Sequence, residues 1–170
     1  MNLTNESFDL NKSSKTELHE HLIFIISKKD FLYKSNLNNE IPFYICPFLP
    51  EFTLEIYEVI NFLNIQLNKR EIEVLEIDLY EISIKILKDM KGNLFEKIQK
   101  QESQKKKDIL KETLQNVLNA EEHLVPEIEK IIKNEKYQVL FIKGIGEVFP
   151  YIRTHNLLTN LQKILKIIDY

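Results

Sequence analysis

The sequence is poor in the features that mark several special classes of protein. Its single cysteine, Cys46, excludes an internal disulfide, so the chain does not resemble small disulfide-rich secreted proteins. No apolar run approaches the ~20 residues that a membrane-spanning helix needs. The polar N-terminus lacks the basic start and apolar run of a signal peptide. We therefore expect a cytoplasmic protein with no membrane partner.

The chain also lacks an excess of charge of one sign. Its formal net charge is -3 and its isoelectric point is near 5.9, which gives no overall reason to expect nucleic acid as a partner. The one basic run, residues 105–107, has no interleaved aromatic residues on which bases could stack. We therefore expect any involvement with DNA to be indirect.

What the sequence does contain predicts an α/β fold. Residues 1–13 have no hydrophobic period and predict a flexible leader, followed by a single domain over residues 14–170. Strands are predicted over Phe43 to Pro47, within "EIEVLEIDLY" and within "YQVLFIKG", with helical patterns between them. This alternation predicts three layers, a mostly parallel sheet of at least three strands flanked by helices.

Local signals predict where several helices begin. Ser14 and Glu17 have the spacing of a capping box, and Thr53 can cap the next helix. The last helix is predicted from Pro150 or Tyr151 to about Ile168.

A charged helical insertion is predicted over residues 94–119. This segment lacks core residues between Ile98 and Ile109, so we expect it to project into solvent or to lie along a partner.

Two of the three glycines lie together in "KGIGEVFPYIRTH", between a predicted strand and a predicted helix. In that position the backbone N–H groups after Gly144 and Gly146 can hold a phosphate. A P-loop, however, needs Lys and Ser or Thr after its last glycine, and here Glu147 would repel a phosphate. The glycines are better explained by a turn that leaves the strand, with Pro150 at the first position of the helix that follows.

Three polar residues are predicted near the carboxyl ends of the strands, where open α/β folds bind their ligands. Arg153 can hold an anion and His155 can transfer protons, or both can make structural contacts. Asp78 ends a strand and can bind a metal or a ribose, or can cap the following helix.

Other residues with metal-binding or nucleophilic chemistry do not form a recognisable set. His19 and His21 are split around a helix and no cysteine joins them, so no metal site is expected. Cys46 has no histidine nearby in sequence and is expected to be a buried thiol. We expect no catalytic residues, no cofactor and no enzymatic activity.

Three segments together resemble the BrxB family of BREX bacteriophage-resistance systems. They are "NNEIPFYICPFLPE" at 38–51, "VLEIDLYEI" at 74–82 and "VLFIKGIGEVFPYIRTHNLLTNLQ" at 139–162. The likeness covers about residues 15–165, and the segment with the glycines is its most specific part.

The resemblance implies a cytoplasmic component of a multi-gene defence system that acts as an adaptor or assembly subunit. The partners that it implies are the phosphatase-like PglZ, the ATPase BrxC and the methyltransferase PglX. Family members usually continue past the last helix into a further strand. A sheet without that strand has an open edge, which makes a homodimer a further expectation.

Two other functions stay open on the sequence alone. One is a nucleotide- or nucleic-acid-binding α/β protein that uses Gly144, Gly146, Arg153 and His155. The other is a hydrolase, which requires Asp78 and His155 to lie within hydrogen-bond reach of each other.

Overall fold

The computed structural model describes residues 14–32, 44–101 and 106–168. The predicted leader, residues 1–13, lies outside this part of the chain. The chain divides into two compact units, residues 1–74 and residues 75–170. Among the described residues, no helix is long and apolar enough to cross a membrane.

The first unit is helical in its described part. Its helices are α1 (Lys15–Ile26), the short α2 (Lys29–Leu32) and α3 (Thr53–Asn68), with a 3-10 turn over Pro50–Phe52 before α3. Helix α1 begins where the sequence predicts. The Ser14 hydroxyl accepts a hydrogen bond from the backbone N–H of Glu17, and the Glu17 carboxylate accepts one from the Ser14 N–H at 2.7 Å.

Helices α1 and α3 pack against each other. The apolar residues of α3 recur at helical spacing and form one buried face: Ile56, Val59, Leu63 and Leu67. The predicted capping role of Thr53 is wrong. Phe52 holds the N-cap position, and the Thr53 hydroxyl instead donates to the carbonyl of Pro50 at 2.7 Å, within the 3-10 turn.

The predicted strand over Phe43 to Pro47 is also wrong in its described part. Residues 44–49 have no regular secondary structure, and Phe43 lies outside the described residues. Pro47, the last residue of the predicted strand, has no N–H to donate to a sheet ladder. Cys46, predicted to be buried, is exposed in this segment.

The second unit contains the sheet. Strand β1 (Val74–Asp78) starts at the last residue of the first unit and pairs with β2 (Val139–Lys143) in a two-stranded parallel sheet. These are two of the three predicted strands. The chain is therefore a mostly helical α/β protein, and the described residues form two strands rather than the predicted three or more.

Five helices and one irregular turn complete the described part of the second unit. They are α4 (Leu79–Asp89), α5 (Leu94–Gln101), α6 (Lys107–Val117), a π-helical turn (Ala120–Leu124), α7 (Val125–Asn134) and α8 (Thr154–Ile168). Helices α5 and α6 lie in the region predicted as a charged insertion. Within it, Leu114 and Leu118 are buried, so the C-terminal part of α6 contributes to the core.

The π-helical turn lies at the centre of this unit and contacts α4, α7 and α8. Its last residue, Leu124, is fully buried, as are Ile128 on α7 and Leu157 and Leu161 on α8. Pro126 occupies the first turn of α7, directly after the π-helical turn. The core therefore fixes α8 against the segment that joins α6 to α7.

Candidate functional site

The carboxyl ends of the two strands carry charged side chains that are bound to one another. The Lys143 ammonium on β2 lies 2.5 Å from a carboxylate oxygen of Glu76 and 3.7 Å from Asp78 Oδ2. The hydrogen bond from Lys143 to Glu76 is the largest of the causes that raise the Lys143 pKa. Lys143 is therefore held as a cation between two carboxylates.

Asp78 also caps helix α4. Its Oδ1 accepts hydrogen bonds from the backbone N–H groups of Tyr80 at 2.9 Å and Glu81 at 3.3 Å. Of the two interpretations that the sequence leaves open, the structure shows the helix cap. Both oxygens of this carboxylate lie close to positively charged or donor groups of the protein itself.

Gly144 and Gly146 have different structural roles. Gly144 has φ +78°, and a Cβ there would lie 3.0 Å from Asp78 Oδ1 and 3.2 Å from the backbone nitrogen of Tyr80. A side chain at Gly144 would therefore be both crowded and strained where the end of β2 passes the start of α4. Within the described part of the chain, a Cβ on Gly146 would meet nothing within 4 Å.

The segment after Gly144 is a longer turn than the sequence predicts. The Gly144 carbonyl accepts hydrogen bonds from the N–H groups of Glu147 and Val148, and the Phe149–Pro150 peptide bond is cis. Helix α8 begins at Thr154 instead of Pro150 or Tyr151. Arg153 lies just before the helix, and its carbonyl accepts the N–H of Leu157 at 3.1 Å.

A groove of about 450 Å³ opens beside this turn and α8. Helix α8 and the residue before it contribute four polar side chains to the lining, Arg153, Asn156, Asn160 and Lys163. Their spacing of three, four and three residues places them on one face of the helix. The other lining residues come from the end of α6, the π-helical turn and the turn before α8: Gln115, Leu118, Asn119, Ala120, Glu121, Tyr151 and Ile152.

Hydrogen bonds hold several of these polar side chains in place. The Gln115 amide donates to the carbonyl of Pro150 at 3.0 Å and so connects α6 to the turn before α8. Asn119 Oδ1 caps the π-helical turn through the N–H groups of Glu121 and Glu122. Contacts within the protein therefore position Gln115 and Asn119 in the lining.

The charged side chains that line the groove differ in the partners they contact. Lys163 donates to the neutral amide oxygen of Asn160 at 3.1 Å. Among the residues that the structure describes, neither Lys163 nor Arg153 forms an ion pair, whereas Lys85 and Lys133 of the same unit do. The lining thus presents two cations, four side-chain amides and the single carboxylate of Glu121. Such a surface attracts anionic groups and can both donate and accept hydrogen bonds.

The predicted site residues have different surroundings. Asp78 and Gly144 lie together at the strand ends, and Arg153 lines the groove. His155 is exposed in the first turn of α8 and is not a lining residue, while Gly146 is exposed in the turn.

Sequence reasoning missed the other polar residues of the groove. The signal was present as R-x-x-N-x-x-x-N-x-x-K over residues 153–163, a polar stripe beside the buried stripe of Leu157 and Leu161. The contribution of Gln115 and Asn119 has no comparable signal, because these residues lie more than 30 positions away in the sequence.

The histidines of α1 do not form a cluster with other metal-binding side chains in the described residues, where no group of three His, Cys, Asp or Glu is placed to hold a metal. The His19 ring stacks on Phe62, with the ring centroids 4.2 Å apart. Burial, and secondarily the charge of Lys15, lowers the pKa of His19.

Comparison with known proteins gives consistent matches. The family model described as "BREX protein BrxB" matches residues 75–169, which include the strand ends and the groove. The chain is 32% identical over 142 residues to a "BREX protein BrxB" of Bacillus cereus (strain H3081.97), covering 81% of this chain and 72% of the relative. It is 26% identical over 140 residues to the protein of that name from Escherichia coli O9:H4 (strain HS), covering 82% and 68%. No solved structure matches the chain.

Proposed function

Since this chain belongs to the BrxB family of BREX proteins, we propose that it is a non-enzymatic, cytoplasmic component of a BREX-type phage-defence system, and that it acts as an adaptor or assembly subunit for larger partners. Membership of the family makes it a BREX component. The adaptor role and the cytoplasmic location are the proposal.

The groove is the observation that carries the adaptor role. It lies within the residues that the family model matches and presents cations without carboxylate partners among the described residues. Charged surfaces of this kind steer and orient a binding partner.

The strand ends support a non-enzymatic role in a different way. Asp78, the best candidate for a catalytic carboxylate, caps α4 and lies near Lys143, and Lys143 in turn lies against Glu76. A general base needs an oxygen that can reach the substrate. The Asp78 oxygens instead contact the start of α4 and the Lys143 ammonium.

The proposed partners are the other BREX proteins, PglZ, BrxC and PglX. The tagged chain would be co-expressed with each of them and the purified material separated by size-exclusion chromatography with light scattering. We expect at least one stable complex. A chain that elutes alone in every combination would contradict the adaptor role, and the 20.3 kDa monomer mass distinguishes a homodimer in the same experiment.

A second candidate function is nucleotide binding, favoured by Arg153 and Lys163 in one groove. Glu121 in the lining opposes it, because a carboxylate repels phosphate. A thermal shift assay with ATP, GTP and a short DNA duplex distinguishes the two functions. A ligand present at 100 times its dissociation constant stabilises the folded chain by about 2.7 kcal/mol, so the absence of any shift would retire this candidate.

A further inference from the structure

We propose that the groove binds an extended, acidic polypeptide segment of a partner protein, in which two carboxylate side chains about four residues apart contact Arg153 and Lys163. This inference rests on the proposed adaptor function and specifies the chemistry of the segment that the adaptor would bind.

The charges of the lining select for an anion. Arg153 and Lys163 lie in the groove without ion pairs in the described part of the chain, and Lys163 has only the neutral amide of Asn160 as its hydrogen-bond partner. An Arg or Lys gains most from a carboxylate or phosphate acceptor, since charge-assisted hydrogen bonds are about twice as strong as neutral ones.

The amides of the lining favour a polypeptide over a nucleic acid. Gln115, Asn119, Asn156 and Asn160 carry both donor and acceptor atoms, and Glu121 contributes an acceptor. The protein itself already uses the Gln115 amino group, Asn119 Oδ1 and the Asn160 amide, so in the described structure the Gln115 carbonyl, the Asn119 amino group and the Asn156 amide remain for a ligand. A peptide backbone offers one N–H and one C=O per residue, which matches such a surface. A phosphodiester backbone offers acceptors only and would face the Glu121 carboxylate.

The spacing of the two cations sets the length of the segment. Arg153 and Lys163 are separated by ten positions along α8, which corresponds to about 15 Å at 1.5 Å per residue. An extended chain rises about 3.4 Å per residue, so about four residues cover this distance. Side chains four positions apart point to the same side of an extended chain, so both carboxylates would face α8.

The test measures fluorescence anisotropy of labelled heptapeptides with the full chain. One peptide has glutamates at its second and sixth positions and neutral residues elsewhere. Its control has the same composition with the two glutamates adjacent. We expect the first peptide to bind at least tenfold more tightly, because only its spacing reaches both cations.

Substitutions inside and outside the groove test whether the peptide binds there. Arg153→Gln combined with Lys163→Gln should weaken the first peptide at least tenfold and abolish the preference for spacing. The matched control is Lys97→Gln combined with Lys136→Gln, which removes the same charge from exposed lysines outside the groove and should bind like the wild type. Asn156→Ala, an exposed helical position that tolerates alanine, should weaken both peptides, because it removes hydrogen bonds and leaves the charge unchanged.

Three results would overturn the proposal: no binding of either peptide, equal binding of both, or equal loss in the two double variants. Competition by a short single-stranded DNA at lower concentration than the peptide, lost in the Arg153 and Lys163 variant, would assign the groove to nucleic acid instead. Co-purification with the BREX proteins separates this test from the adaptor role. If the Arg153 and Lys163 double variant still forms the wild-type complex, the proposal that the groove binds the partner is wrong, and the adaptor function itself is unaffected.

Discussion

The two neighbouring glycines of the turn after β2 should respond very differently to the same substitution. In Gly144→Ala the new Cβ would lie 3.0 Å from Asp78 Oδ1, 3.2 Å from the Tyr80 nitrogen and 3.4 Å from the Leu79 nitrogen, and the residue would keep φ near +78°. Two of these three atoms belong to the backbone of α4 and cannot move independently of the helix. Gly146→Ala meets no atom within 4 Å in the described structure and has no positive φ.

The expected cost for Gly144→Ala is the sum of two terms. A left-handed conformation costs an alanine about 1–2 kcal/mol, and crowding in a packed site costs about 1–3 kcal/mol. Alanine recovers about 0.4–1 kcal/mol by restricting the unfolded chain. The net loss in the free energy of unfolding is therefore about 2–4 kcal/mol. Gly146→Ala has only the last term and should be neutral or slightly stabilising.

Gly92→Ala measures the cost of the left-handed backbone conformation without the cost of crowding. This glycine has φ +81°, but the close atom is the Lys97 ammonium, at the end of a side chain that can move away. We expect a loss of about 1 kcal/mol from the backbone conformation alone.

Urea unfolding followed by far-ultraviolet circular dichroism measures all three variants. With a slope of about 2 kcal/mol per molar urea, Gly144→Ala should lower the midpoint by about 1–2 M and leave the slope unchanged. The reasoning would be refuted if Gly144→Ala and Gly146→Ala unfolded at the same urea concentration, or if Gly92→Ala lost as much as Gly144→Ala.

Three further substitutions test other contacts of the structure. Asp78→Ala should cost about 0.5–2 kcal/mol as a lost helix cap, whereas Asp78→Asn keeps a capping oxygen and should lose less; equal losses would argue against the cap. Leu124→Ala, in a fully buried side chain, should cost about 2–5 kcal/mol by urea unfolding, while Ile109→Ala, at 51% exposure, should change little; similar costs would contradict the packing. The folded-state pKa of His19 is lowered, so below about pH 6.5 the unfolded state binds more protons and stability is lost as the pH falls. His19→Phe should therefore flatten the dependence of the urea midpoint between about pH 7.5 and 5.5, and an unchanged slope would refute this role.

Signals confined to a few neighbouring residues predict this structure well. The capping box at Ser14 and Glu17 and the cap at Asp78 each depend on hydrogen bonds within a single turn of chain. The two observed strands are likewise short apolar runs next to a helix pattern.

Features that depend on distant contacts could not be predicted in this way. Residues 44–49 have the composition of a strand, but a strand also needs a partner with free N–H and C=O groups, and composition does not supply one. The late start of α8 follows from a turn that Gln115 holds from another helix. The groove needs both α6 and α8, so no pattern within either segment predicts it.

The location of the groove bears on where function resides in this chain. In open α/β folds the ligand usually lies at the carboxyl ends of the strands. Here those ends are occupied by the protein itself, since Lys143 lies between Glu76 and Asp78 and Gly144 leaves no space beside α4. The short sheet thus works as a support that fixes the start of α4 and the turn that leads into α8. In the described part of the chain, the cations without ion pairs, Arg153 and Lys163, lie further along that turn and helix, so the interaction surface that we propose is on α8 rather than at the edge of the sheet.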